Sequence, residues 1–104
     1  MSRIKNSVIE SCEKCIDACE KCIEKCQGKP GMEVCIKLCE HCIEACNNCI
    51  NENESSLDEA IAMQQCINAC VNCAKECEKH EHRSCQECAR ACRECIAECE
   101  AMLA

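Results

Sequence analysis

The sequence predicts an all-α protein, an antiparallel up-down-up-down four-helix bundle whose core is lined with cysteine. The chain has 104 residues, the size of one small domain, and we treat residues 1–104 as one. Nineteen residues are cysteine and none is aromatic. The cysteines fall in four groups, within which the step between neighbours alternates between three and four residues. This spacing marks one face of a packed helix and not the alternation of a strand.

The first two cysteine groups define the first two helices. We predict these helices at about 7–27 and 31–52, each about 30 Å long. Residues 28–31 separate them and contain both glycines and the only proline, which is typical of a tight connection. The cysteines of these groups are Cys12, Cys15, Cys19, Cys22 and Cys26, then Cys35, Cys39, Cys42, Cys46 and Cys49.

The other two groups define helices at about 57–79 and 84–103. Polar segments at 51–55 and 79–83 precede them. Because the connections are short, neighbouring helices should run antiparallel. The cysteines of these groups are Cys66, Cys70, Cys73 and Cys77, then Cys85, Cys88, Cys92, Cys95 and Cys99.

Two further patterns support four packed helices. Serine followed three residues later by glutamate is a capping box that marks a helix start. Such pairs occur at Ser7–Glu10, Ser56–Glu59 and Ser84–Glu87. Isoleucines beside the cysteine seam, at heptad position e, predict a stripe that seals the contacts between helices. They are Ile9, Ile16, Ile23, Ile36, Ile43, Ile50, Ile67 and Ile96.

We interpret the cysteine seam as a store for many Cu(I) ions. Copper(I) is thiophilic and monovalent, so one ion per thiolate leaves a neutral core. Four thiolates on Zn²⁺ would instead bury a charge of −2 at each site. Disulfides fit poorly, because the cysteine count is odd and cysteines three or four apart on a helix have nearly parallel Cβ directions. A zinc- or cadmium-binding sponge and a thiol redox buffer remain the alternatives.

The chain resembles the bacterial copper storage proteins in its four cysteine-lined helices with alternating Cys-x-x-x-Cys and Cys-x-x-Cys steps. The stretch 79–88 is similar to their cytosolic branch. The resemblance implies cytosolic storage or sequestration of many Cu(I) ions per bundle, a homotetramer, and histidine at the entrance for copper.

The two ends of the bundle differ in chemistry. In the heptad register one end holds Val8, Met63 and Met102, which we expect to form an apolar plug. The other end holds Cys26, Met32, Cys77 and Cys85 below the connection that contains the two histidines. With the support of the resemblance, we expect His80 and His82 to take up Cu(I) there. We expect His41 to face solvent.

Net charge and composition argue against some classes of binding partner. The net charge of −7 and the lack of a basic cluster in the sequence argue against nucleic acid. No apolar run is long enough for a membrane span, and no leader-like apolar segment follows Met1, so we expect a cytosolic protein. We expect no enzyme activity, because no nucleophile and base form a recognisable motif. The expected partners are copper ions and a copper chaperone or chelator.

Overall fold

The computed structural model describes residues 4–104 and confirms the all-α, four-helix class. The helices are α1 (Asn6–Cys26), α2 (Glu33–Asn51), α3 (Ser56–Cys77) and α4 (Arg83–Leu103). No strand occurs within 4–104. The bundle measures 43 × 19 × 17 Å, and its long axis follows the helices. Each helix packs against two neighbours in the ring order α1–α2–α3–α4 and back to α1, which gives the predicted up-down-up-down arrangement.

The first connection sets the start of α2. Gly28 and Gly31 have φ angles of 81° and 83°, a conformation that residues with a Cβ rarely adopt. The chain leaves the helical conformation after Cys26 and regains it only at Glu33. The second helix therefore begins two residues later than the pattern of cysteines predicts.

The start of α3 shows that the predicted capping box is wrong by one residue. Ser55, and not Ser56, is the N-cap, with an extended backbone and a side-chain oxygen that accepts from the Asp58 N–H at 3.1 Å. Two consecutive serines leave the sequence pattern ambiguous, and the extended conformation of Ser55 decides between them.

The other two predicted capping boxes are absent. The first helix begins after Lys5 and the fourth after His82, and neither residue makes a side-chain capping bond. Ser7 and Ser84 both lie inside the first turn of their helices, where a serine cannot occupy the N-cap. The Ser84 hydroxyl is left buried without a hydrogen-bond partner among residues 4–104.

The isoleucine stripes behave differently on the two sides of the bundle. Between α3 and α4 the seam is closed, because Ile67 and Ile96 are buried together with Ala74 and Ala89. Between α1 and α2 the six isoleucines are only partly buried against the core. The stripe therefore seals one seam fully and leaves apolar surface along the other.

Candidate metal centre

Cysteine sulfurs lie along the axis of the bundle. All nineteen cysteines are free thiols with no exposed surface. The alternation of three- and four-residue steps keeps each cysteine on the inner face of its helix for the full length of the bundle. The predicted cysteine-lined core is therefore confirmed.

Sixteen of the thiols form four layers, each with one cysteine from every helix. We call these the cysteine layers, and number them from the end where the α1–α2 and α3–α4 connections lie, the histidine end. They are Cys22–Cys35–Cys77–Cys85, Cys19–Cys39–Cys73–Cys88, Cys15–Cys42–Cys70–Cys92 and Cys12–Cys46–Cys66–Cys95. Cys26 lies beyond the first layer, 3.7 Å from Cys85, while Cys49 and Cys99 extend the opposite end.

The third layer shows the spacing of the sulfurs. The Sγ of Cys15 lies 3.5 Å from that of Cys42, 3.6 Å from Cys92 and, across the axis, 3.9 Å from Cys70. In a planar square the diagonal would be about 1.4 times the edge, whereas here edge and diagonal are nearly equal. The four sulfurs therefore lie at the corners of a compact, roughly tetrahedral cluster.

This spacing suits metal ions with little rearrangement. With metal–sulfur bonds of about 2.3 Å, two sulfurs on one ion are separated by about 3.8 Å in tetrahedral coordination and about 4.6 Å in linear coordination. The layers are already at the first value and need about 1 Å of expansion to reach the second. The reduced thiols are thus pre-arranged as ligands.

Neighbouring layers share their sulfurs. Four-sulfur groups whose atoms all lie within 4.8 Å of one another include Cys15–Cys42–Cys46–Cys70 and Cys15–Cys19–Cys42–Cys92. Cys15 and Cys42 belong to both groups, so one sulfur is in reach of ions on either side of it. A continuous array of bridged ions, and not a set of separate sites, fits this geometry.

The protonation of the thiols follows from burial and from their contacts. Removal from water raises the pKa of Cys35 and Cys85 above the ordinary thiol value of 9.0. Hydrogen bonding from Cys19 acts in the opposite direction and lowers the pKa of both Cys15 and Cys73 to about 7. Many core thiols are therefore neutral in the reduced protein, and metal binding must displace their protons.

The histidines of the α3–α4 connection lie in two different environments. His80 is half-buried, and its Nε2 lies 3.0 Å from the Glu76 carboxylate. This hydrogen bond holds the pKa of the Glu76 carboxyl below its usual range. His82 is exposed, and its Nε2 accepts from the Lys29 ammonium at 3.5 Å. The His80 Nε2–H donates to the carboxylate, which leaves Nδ1 of that ring available to a metal. In neutral His82 the accepting Nε2 leaves the proton on Nδ1, so copper binds this ring only in place of that proton or of the Lys29 contact. His41 is exposed on α2, as expected.

Both ends of the tube are closed by apolar side chains. Val8 and Met63 are buried at the end opposite the histidines, Met102 is partly buried, and Ile4, which the sequence pattern did not place there, joins them. The Lys5 N–H donates to the Met102 sulfur at 3.4 Å and ties the start of the chain to the plug. At the histidine end Met32, which the heptad register places there, is also buried.

No helix within residues 4–104 combines the length and the apolar character needed to cross a membrane. Comparison with curated protein sequences found no match.

The fold has counterparts among solved structures. One is a structure described as the Cu(I)-bound copper storage protein BsCsp3, with a TM-score of 0.87 and 31% sequence identity over 98% of this chain and 100% of that one. Another is the apo form of copper storage protein 3 (Csp3) from Bacillus subtilis, with a TM-score of 0.85 and 33% identity over 94% and 97% of the two chains. The sequence model of the copper storage protein family, Csp, matches residues 1–104. This chain belongs to the copper storage protein family.

Proposed function

We propose that the protein stores Cu(I) by filling its core with copper thiolate. The observation that carries this proposal is the unbroken column of nineteen buried thiols, whose contacting sulfurs are 3.5 to 4.0 Å apart. One Cu⁺ for each thiolate replaces each proton by a single positive charge. The loaded core then remains neutral, which a buried site requires.

Zinc and cadmium fit the geometry of single layers but not the charge of the whole core. Each divalent ion on four thiolates leaves a charge of −2, and sites of this kind stacked at neighbouring layers would repel one another in a poorly solvated interior. Sharing of Cys15 and Cys42 between neighbouring groups favours a monovalent ion that tolerates bridging ligands.

Within this proposal all nineteen cysteines are ligands. His80 receives copper at the histidine end through Nδ1, because Glu76 holds its other nitrogen. His82, which is exposed, makes the first contact with the incoming ion or its carrier. The buried thiols offer no open coordination site to a substrate, which supports storage and not catalysis as the role.

The compartment and the assembly come from the family. We place the protein in the cytosol, where thiols are kept reduced, and expect a homotetramer supplied by a copper chaperone or chelator. The partly buried isoleucines of α1 and α2 support assembly, because Ile16 and Ile50 line a surface groove between these helices. Sedimentation of the reduced protein tests the tetramer.

The deciding experiment is an anaerobic titration of the reduced protein with Cu(I) against a competing chelator. We expect binding to approach nineteen ions per chain. Saturation at one or two ions would refute storage. A parallel titration with Zn²⁺ tests the alternative that the protein is a zinc- or cadmium-binding sponge. A thiol redox buffer would lose free thiols under mild oxidation in the absence of metal.

A further inference from the structure

A basic groove runs along the surface between α1 and α4 at the histidine end. It has a volume of about 510 Å³. We call it the basic groove; its lining includes Lys21, Lys25, Lys29, His82, Arg83 and Ser84. This volume lies within the range of small-molecule sites, about 300–1,000 Å³, and is too local for a stable protein interface.

The charge of the groove is opposite to that of the protein. The chain carries a net charge of −7, yet three lysines and an arginine converge here. Among the described residues that line the groove, Glu87 is the only acidic one, and it pairs with Arg83 at 3.3 Å. Lys21 and Lys25 make no ion pair within residues 4–104, so their charge is available to a ligand.

The start of α4 adds hydrogen-bond donors to this charge. The N-cap residue His82 provides no side-chain bond to the backbone N–H groups of the first turn, and Arg83 and Ser84 of that turn line the groove. The hydroxyl of Ser84 is buried there and has no partner within the described chain. A helix start with unpaired donors beside several cations favours a carboxylate or another anion.

Two residues that line the groove are adjacent in sequence to thiols at the histidine end of the core. Lys25 directly precedes Cys26, and Ser84 directly precedes Cys85. The sulfurs of these two cysteines are 3.7 Å apart; Cys85 belongs to the first cysteine layer and Cys26 lies beyond it. A molecule held in the groove therefore contacts the two helical segments that carry these buried thiols.

We propose that the basic groove binds the anionic carrier of Cu(I), a low-molecular-weight thiol with carboxylate groups, and holds it while the ion is transferred to Cys26 and Cys85. This inference rests on the proposed storage function and adds the chemical class of the donor. The carrier carboxylates contact Lys25, Lys29 and the start of α4, and its copper-bearing sulfur faces the terminal thiols.

The transfer is a ligand exchange without oxidation or reduction. A Cu–S bond to the carrier breaks as a Cu–S bond to a protein sulfur forms, and copper remains Cu(I) throughout. The proton displaced from the protein thiol passes to the released carrier thiolate. The same exchange in reverse returns copper to the carrier.

The test compares two variants with equal change in net charge. K25E/K29E reverses two charges in the groove, whereas K37E/K75E reverses two exposed lysines of α2 and α3 that do not line it. Copper is supplied anaerobically as the Cu(I)–glutathione complex, an anion, or as the Cu(I)–acetonitrile complex, a cation. Uptake is followed by stopped-flow spectroscopy, and total capacity is measured for each variant.

With Cu(I)–glutathione we expect K25E/K29E to take up copper at least about fivefold more slowly than wild type, and K37E/K75E to change by less than about twofold. When copper is supplied as the acetonitrile complex, K25E/K29E should take up copper at least as fast as wild type. S-methylglutathione, which has the carboxylates but no free thiol, should slow uptake by wild type and not by K25E/K29E.

Equal slowing of both variants would overturn the proposal, because it would assign the effect to net charge. Unchanged uptake in K25E/K29E, or no competition by S-methylglutathione, would overturn it as well. Capacity separates this inference from the function on which it rests. If capacity remains near nineteen ions while the rates fail to respond, storage stands and the groove has no part in delivery.

Discussion

Removing two thiols from the middle of the core should cost two copper ions and no more. Cys15 and Cys92 are fully buried in the third cysteine layer, with their sulfurs 3.6 Å apart. If each thiolate balances one Cu⁺, the C15A/C92A variant should bind about seventeen ions instead of about nineteen. Their neighbours Cys42 and Cys70, 3.6 Å apart, keep the array of sulfurs continuous past the gap.

The mouth of the tube provides the matched control. Cys26 and Cys85 are equally buried and 3.7 Å apart, so C26A/C85A removes the same number of thiols from the outer end. Each buried cysteine-to-alanine change should cost about 1–2 kcal/mol of unfolding free energy. Both double variants should therefore remain folded, since small domains have about 5–15 kcal/mol.

The assay is anaerobic titration with Cu(I) against a competing chelator, with metal per chain measured on the loaded protein and circular dichroism as the check on folding. Both variants should lose the same two ions, while only C26A/C85A should take up copper more slowly. If folded C15A/C92A lost half of its copper or more, the core would be a single cooperative cluster. If its capacity were unchanged, charge balance by individual thiolates would be the wrong account.

Three further predictions concern the metal-free protein and its two ends. The reduced apo protein should be largely helical by circular dichroism and should melt at a higher temperature when copper is added; a random-coil spectrum would mean that metal creates the fold. Replacing His80 and His82 by alanine should slow uptake at unchanged capacity, and a histidine variant that matches wild type in stopped-flow uptake would place the entrance elsewhere. M63A/M102A should leave uptake unchanged and lower stability by about 2–5 kcal/mol at buried Met63, and by less at partly buried Met102. Because burial raises the pKa of Cys35 and Cys85 above 9.0, the folded apo protein keeps the protons of these two thiols above about pH 9, where the unfolded chain loses them. Its melting temperature should therefore fall as pH rises beyond that value, and a melting temperature that rises there would contradict this.

The cysteine core could be predicted from sequence because the spacing of the cysteines matches the period of the helix that places them on one face. Steps of three and four residues place Cys12, Cys15 and Cys19 on one helical face whatever surrounds them. The first residue of each helix was harder to predict from sequence. Ser55 and Ser56 both suit a cap, and the choice depends on the backbone conformation of the preceding loop.

Features that depend on the order of helices around the axis could not be predicted. Lys21, Lys25 and Lys29 are spaced four residues apart, which by itself indicates only a solvated helix face. They form a basic groove because α4 packs beside α1 and brings Arg83 to them, and the cysteine spacing does not fix the hand of the bundle. The heptad register places Met32 at the histidine end, but its burial there depends on the path of the glycine-containing connection.

A core of thiols also links stability to the amount of copper stored. The chain has no aromatic residue, and a cysteine buries less apolar surface than the leucine or isoleucine usual at such positions. The apo bundle therefore depends heavily on the few larger side chains, such as Ile67 and Ile96 at the α3–α4 seam. An ion that binds only the folded state adds about 2.7 kcal/mol when free copper is a hundredfold above its dissociation constant. A few ions at that level equal the whole stability of an ordinary domain, about 5–15 kcal/mol. Copper then becomes the main source of stability, so the melting temperature should rise stepwise with loading and fall as copper is withdrawn.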